Sequence, residues 1–390
     1  MFVSAKRRKL YTDMTIYANY AATSPALSPA VAKELCEYAG GTHLNAGRNF
    51  EGLEAGTIAL RARRAVAKLF SVADPLRVIF TGGATQSLNM AIHGLVRAGD
   101  HVLATSVEHN ATARPLEALR KNGAIELDWL QCEPDGSLDA EKVRTAIRKN
   151  TRLLVMTHAS NVLGTIVPIM ECFKIAHEYG VFTVLDAAQT GGVLPFTMGD
   201  CCDVIAFAGH KGLRGLAGVG GFALGEAASG EMRQWIRGGT GSASHSLDMP
   251  EFMPDRFEPG TQNTIGILSL AASVEEILRT GVDKIRERER AFTTRFIAGL
   301  RRIQKISVCG TLESARSVAV VSVVVRGYDA GEVSRRLFER HGIITRSGLH
   351  CSPLAHKTAG TFSGGTVRFS FGSGTTETEL DAMLEALSEL

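Results

Sequence analysis

The chain has 390 residues, 45% of them hydrophobic and 21% charged, and its 43 Lys+Arg against 40 Asp+Glu leave a formal net charge of +3. That length buries a sizeable core and suits two domains, whereas so small a charge offers no concentrated basic face for nucleic acid. No apolar stretch reaches the roughly 20 residues that span a bilayer, and the N-terminus lacks the basic-then-apolar layout of a signal peptide.

The expected setting is therefore cytoplasmic, with neither nucleic acid nor membrane as partner. The one dense basic run, KRRK at 6–9, reads as a solvated tail. Seven cysteines without a C-x-x-C pair argue against a disulfide framework and against a zinc ribbon.

From about residue 77, apolar runs of strand length occur at 77–80, 101–104, 125–130, 152–157, 181–185 and 204–207. The segments between them, such as 139–149 and 168–179, repeat apolar residues at helical spacing. Strands alternating with helices imply parallel βαβ units and a sheet covered on both faces. Ligands collect at the carboxyl ends of the strands of such a sheet. After about Asn263 the pattern changes to two long helical segments, 265–279 and 284–303. Strands at 317–325 and 366–371 then mix with helices at 331–341 and 377–390, which reads as a second, smaller α/β domain.

Polar clusters follow the strand ends. In FTGGATQSLNMAIHGL (80–95) a glycine pair leads into a helix opened by Thr85. Free N–H groups and the helix dipole suit an anion there, although a plain strand-turn-helix reads the same way. G-K-[ST] is missing, so this is no P-loop, and no G-x-G-x-x-G follows a strand, which argues against a dinucleotide. Glu108 and His109 in SVEHNATARP (106–115) and Asn161 in HASNVLGT (158–165) occupy strand ends, but neither cluster alone specifies a function. TVLDAAQTGG (183–192) ends an apolar strand on Asp186, a carboxylate that needs a cationic partner or donors. A structural ion pair is the competing explanation. AFAGHKGLRG (206–215) sets His210 and Lys211 between glycines at the end of the next strand. HCSPLAH (350–356) lacks H-E-x-x-H and C-x-x-C support, so no metal is assigned.

Taken jointly, the clusters meet one need. A cofactor with a phosphate, a ring nitrogen to be kept protonated and an aldehyde to be held by a lysine would use the helix start at Thr85, Asp186 and Lys211. Those are the demands of pyridoxal phosphate.

From IYANYAATSP (16–25) to GTVRFSFG (365–372) the sequence resembles the class V aminotransferase-type, fold-type I pyridoxal-phosphate enzymes, and within them the cysteine desulfurases. The motifs that carry the likeness are EHN, DAAQ, GHKG, RFEPGT and RSGLHC, with GGTGS (238–242) ahead of PEFMPDRFEPGT (250–261). The resemblance implies a large domain over 20–262 with a mainly parallel seven-stranded sheet. A small α/β domain would combine 263–390 with an N-terminal arm, 1–19.

Ala84 and Thr85 are implied to hold the cofactor phosphate, with His210 reaching it. His109 would stack on the ring, Asn161 and Gln189 would sit near its hydroxyl, and Asp186 would bind its nitrogen. Lys211 would form the Schiff base, and Gly260 and Thr261 would reach the phosphate of the partner subunit in a homodimer. Ala22 and Arg368 would contact the amino-acid substrate, Arg368 clamping its carboxylate with a planar two-donor fork. The sequence departs from the family at Tyr20, usually acidic or asparagine, and at Ala208, often a hydroxyl residue. It also reads GLRGLAGVGG (212–221) where relatives carry Gly-Pro.

The implied reaction converts L-cysteine to L-alanine and leaves a persulfide on Cys351, for onward transfer to a sulfur-acceptor protein. Ser347, Gly348, Ser352 and Pro353 place that cysteine in a loop, and His350 and His356 are near enough in sequence to help form a thiolate. The alternatives are selenocysteine lysis, another C–S cleavage, aminotransfer, or a non-catalytic sulfur-transfer scaffold.

Overall fold

The computed structural model describes residues 15–41, 53–199 and 202–390, so the run at 6–9 and Cys201 lie outside the described residues. Its strands, in chain order, are β1 (Ile16–Tyr17), β2 (Val78–Thr81), β3 (Asp100–Thr105), β4 (Ile125–Leu130), β5 (Thr151–Thr157), β6 (Phe182–Asp186), β7 (Val204–Ala208), β8 (Gly220–Leu224), β9 (Ile306–Cys309), β10 (Val320–Val325), β11 (Ile343–Ile344), β12 (Arg346–Gly348) and β13 (Thr366–Ser370). Seven form one sheet in the order β2-β8-β7-β6-β5-β3-β4. The five strands β4, β3, β5, β6 and β7 are mutually parallel, and β8 runs antiparallel to both its neighbours.

The alternation of side chains along each strand feeds two cores. Leu153 and Val155 of β5 join Leu88 and Ile92 of helix Ala84–Leu95 on one face. Leu154 and Met156 join Phe173 of helix Ile169–Glu178 and Phe70 of helix Leu53–Phe70 on the other. Each fully buried side chain of this size contributes about 1.5–3 kcal/mol. The mainly parallel α/β sheet expected from the strand-helix alternation is what forms.

Strand β8 has no counterpart among the predicted elements. Its sequence opens on two glycines, which read as a loop, yet it lies inside the sheet between β2 and β7. The glycines are needed for that approach: a Cβ on Gly221 would stand 2.3 Å from the Ile79 carbonyl oxygen and 2.6 Å from the Phe207 ring.

A second, antiparallel sheet has the order β12-β13-β10-β9, and β1 pairs in parallel with β11. Helices Val282–Leu300, Ala330–His341 and Glu377–Ser388 supply its core, with Phe296 packed against Phe369 and Phe371 at 5.1 Å between ring centroids. The strand expected over 317–325 begins only at Val320, because the Val318 N–H donates to Gly164 O and ties that stretch to the loop after β5. The helix expected over 139–149 shortens to Glu141–Ala146. Ile147 is extended, and the Arg148 N–H turns to Thr151 Oγ1 at 2.6 Å as the chain enters β5.

The glutamate of RFEPGT has a structural role. Glu258 accepts the Phe80 N–H from β2 at 2.6 Å and pairs with Arg63, which also donates to Val78 O; both side chains are buried. Glu258→Ala would strand the Arg63 guanidinium in the interior. The expected loss is about 3–5 kcal/mol, read as a lower urea midpoint at unchanged denaturant slope.

Candidate active site

The site assembles where β3, β5, β6 and β7 end. β6 finishes on Asp186, and two residues later the Ala188 N–H donates to Asp186 Oδ1 at 2.9 Å. Among the described residues no donor reaches the other oxygen. Burial pushes this carboxyl above the ordinary range, opposed by the Ala188 N–H and the Lys211 charge.

β7 ends at Ala208, and the turn that follows is locked at both ends, Gly209 N–H to Val219 O and Gly215 N–H to Gly209 O. The N-terminal segment closes over it: Ser24 N–H donates to His210 O and Ser24 Oγ to Lys211 O. Ala22 sits in the same segment, its N–H on Asn19 O. Lys211 therefore projects from a turn fixed on all sides. Its amine makes no hydrogen bond or ion pair among the described residues. Desolvation pushes its pKa down, Asp186 opposes that, and the Arg368 and Arg346 charges add to it.

His109 caps helix Asn110–Lys121, its Nδ1 accepting the Ala111 N–H at 3.0 Å. Burial, then the Lys211 charge, pushes its pKa down to about 4, so the ring is neutral with its proton on Nε2. Behind it Glu108 is fully buried, accepts from Thr105 Oγ1 and the Thr157 N–H, and is pushed up to about 8 by burial. Gln189 Nε2 donates to Ala21 O.

The helix start at Ala84 and Thr85 follows Gly83, whose φ of 143° favours glycine, and no side chain caps it. Its first N–H groups are thus open to an anion. Tyr20 packs its ring over Gly372, where a Cβ would stand 2.3 Å away, and its hydroxyl accepts the Gly374 N–H. Its bulk therefore points into the loop that follows β13. His210 Nδ1 lies 3.1 Å from Thr23 Oγ1. Gly260 and Thr261 are exposed on a separate loop, and Thr261 lines a cleft with Gly82 and Gln86.

Two guanidinium groups face the lysine from the second sheet. Arg368 of β13 is 1% exposed and stands directly opposite Arg346 of β12 in the strand register. Like charges in that position repel, and among the described residues no carboxylate pairs with either. Arg368 Nη1 donates to Asn161 O and Nη2 to Asn19 Oδ1, while its Nε is buried without a partner. Burial pushes the Arg368 pKa down to about 9.

Arg346 Nη2 reaches Cys351 Sγ at 3.3 Å. Cys351 is exposed, on a turn whose residues His350 and Cys351 have φ of 50° and 60°. Left-handed geometry at two successive non-glycine residues costs about 1–2 kcal/mol each.

The histidines do not serve the thiol as their sequence spacing suggests. His350 is buried with Nε2 on Thr366 Oγ1, and desolvation pushes it down to about 2; His356 is buried with Nδ1 on Thr361 Oγ1. Both are held neutral, and the cation at the sulfur is Arg346, which sequence reasoning missed.

The neutral histidines set a pH dependence. His109, His350 and His158, the last pushed down to about 3 by burial, stay uncharged in the fold but protonate near 6.5 when unfolded. The unfolded chain then binds more protons, so stability falls as pH drops below about 6.5. Glu108 acts oppositely, favouring the fold less as pH rises from about 4.5 towards 8. The thermal midpoint is expected to decline between about pH 6.5 and 4, with a slope about one proton shallower in His158→Gln.

Among the described residues, no group of three or more His, Cys, Asp or Glu is placed to hold a metal, and no helix is long and apolar enough to cross a membrane.

The class-V aminotransferase family model matches residues 16–383. A probable cysteine desulfurase of Methanothermobacter thermautotrophicus is 30% identical over 386 residues, covering 96% of this chain and 94% of the relative. The apo structure of a cysteine desulfurase from Thermococcus onnurineus superposes with a TM-score of 0.90 at 29% identity, covering 100% and 98% of the two chains. An Escherichia coli cysteine desulfurase shares the fold, with a TM-score of 0.87 at 23% identity over 100% and 98%.

Proposed function

Since this chain belongs to the class-V aminotransferase family and, within it, to the cysteine desulfurases, we propose that it is a pyridoxal-phosphate enzyme taking sulfur from L-cysteine. In this reading L-alanine is released and Cys351 becomes a persulfide.

The cleft fits the cofactor on its own residues. The uncapped helix start at Ala84 and Thr85 suits a phosphate, the second Asp186 oxygen suits a protonated ring nitrogen, and the unpaired Arg368 Nε suits an amino-acid carboxylate. Pyridoxal phosphate, when bound, supplies an electron sink conjugated to the substrate α-carbon. The chain's residues do the rest. Lys211 would hold the cofactor and move the α-proton, a role that its lowered pKa favours. Asp186 would keep the ring nitrogen protonated, and His109, a neutral imidazole, would hold the ring together with Asn161 and Gln189. His210 would help to hold the phosphate. Arg368 and Arg346 orient the carboxylate, with Ala22 against the substrate.

Cys351 Sγ attacks the substrate sulfur. The S–S bond forms as the Cβ–S bond breaks, and the carbon skeleton takes up protons to leave alanine. The single observation that carries this reading is the exposed Cys351 thiol with Arg346 at its sulfur. Aminotransfer has no use for such a thiol.

The test is to incubate the protein with cysteine, cysteine sulfinate and selenocysteine, measuring alanine and sulfide or selenide. Alanine from cysteine, matched by persulfide sulfur, is expected. Alanine from selenocysteine alone would make it a selenocysteine lyase, and no alanine from any of the three would leave a scaffold. Asp186→Asn keeps the shape but removes the charge, and a fall in kcat of about 10²–10³ is expected.

Trp235, Leu247 and Phe252 are exposed in the segment of chain that leads to the loop of Gly260 and Thr261. They support a homodimer in which that loop reaches the partner's phosphate site. A cytoplasmic location, a sulfur-acceptor protein, and a division into 20–262 against 1–19 with 263–390 belong to the same proposal.

A further inference from the structure

The turn that presents Cys351 is held from both sides by one side chain. Asn161 Nδ2 donates to His350 O at 2.8 Å, and its Oδ1 accepts the Ser352 hydroxyl at 2.6 Å. A carbonyl can only accept, so His350 O fixes which end of the carboxamide is the amino group. Asn161 and Ser352 are both buried. Cys351's own carbonyl is taken by the Asn110 N–H at 2.8 Å. The carbonyls of His350 and Cys351 and the Ser352 hydroxyl are thus anchored to residues that follow β5 and β3, with sequence separations of 189 and 191 residues between Asn161 and its two partners.

We propose that Asn161 is a positioning residue that clamps the Cys351 turn in its left-handed form and so keeps the sulfur against Arg346. The turn would otherwise relax, because nothing in its own sequence favours two successive positive φ angles at His350 and Cys351. The clamp is coupled to the substrate pocket as well, since Arg368 Nη1 donates to Asn161 O. The amino group of Asn161 has a second hydrogen with no acceptor among the described residues. The same amide can therefore hold the turn and face the cofactor ring. A nucleophile that must meet a substrate sulfur gains from being presented at one place, and a strained turn is stable only when its surroundings over-determine it.

This inference rests on reading Cys351 as the sulfur-accepting thiol, but its test needs no turnover. The protein as purified is alkylated with anionic iodoacetate and, separately, with neutral iodoacetamide, and each cysteine is followed by peptide mass spectrometry. Exposed Cys36, on helix Pro29–Ala39, serves as the free-thiol reference within the same molecule. Held at Arg346 and near Arg368, Cys351 is expected to favour the anion over the neutral reagent about tenfold more than Cys36 does. Asn161→Ala and Ser352→Ala, which change no charge, should bring that preference down towards the Cys36 value. General destabilisation would raise both rates together and leave the ratio standing. If Asn161→Ala does not fold, Ser352→Ala carries the test alone. An unchanged ratio at Cys351 in the folded variants overturns the clamp, whether or not the protein desulfurates cysteine. A lowered ratio in a protein without desulfurase activity supports the clamp and overturns the functional reading instead.

Discussion

Lys211→Ala is expected to lower turnover of cysteine by about 10⁴ or more, the upper range for a group that transfers the proton itself. The reason lies in its surroundings. The amine is desolvated and feels the charges of two guanidinium groups, Arg368 and Arg346, and all three lower its pKa; Asp186 and, less strongly, Cys351 oppose them. An ammonium is therefore less favoured here than in water, and the neutral amine is the form that can bond to an aldehyde or accept a proton. Lys211→Arg is the informative companion. It keeps a positive charge but cannot lose its proton, so it should be as inactive as the alanine variant. Borohydride reduction of the wild-type protein, followed by peptide mapping, should place the cofactor on Lys211. A label on another lysine, or wild-type turnover by Lys211→Ala, would remove the basis of the reading.

Much of this site is written locally. Asp186 ends a largely apolar strand and Lys211 follows a wholly apolar one, so their place at the carboxyl edge of a parallel sheet follows from pattern alone. The helix start at Ala84 is legible for the same reason, as a glycine pair between a strand and an apolar-periodic helix. β8 was not legible, because its glycines answer a packing demand from Ile79 and Phe207, which only the assembled sheet imposes.

Arg346 was hidden differently. It meets Arg368 through antiparallel pairing of β12 with β13, and no spacing within RSGLHC announces that register. His350 and His356 show the converse. Their nearness to Cys351 in sequence suggests help for the thiol, but the positive φ values at 350 and 351 turn the chain so that both rings enter the interior. Sequence proximity predicts contact poorly across a turn whose backbone leaves the common regions.

Cys351→Ala separates cofactor binding from sulfur removal. None of the groups that fit the phosphate, the ring nitrogen or the substrate carboxylate belongs to residue 351, so the variant should bind cofactor and substrate with unchanged absorbance. Alanine production and the protein persulfide should fall by about 10⁴ or more, as expected when a nucleophile is deleted from a machinery that is otherwise intact. Cys351→Ser should be no better, since a hydroxyl is a weak nucleophile unless a base activates it. The neighbouring imidazoles are engaged with Thr366 and Thr361. Cys36→Ser provides the control, because that exposed thiol lies on helix Pro29–Ala39 and has no place in the proposed chemistry. The decisive comparison is made with a thiol reductant present, which discharges persulfide and lets every turnover count. If Cys351→Ala then forms alanine at the wild-type rate, the sulfur leaves without a protein nucleophile. The Arg346–Cys351 contact would then serve some purpose other than sulfur capture, and a direct lyase would replace the desulfurase.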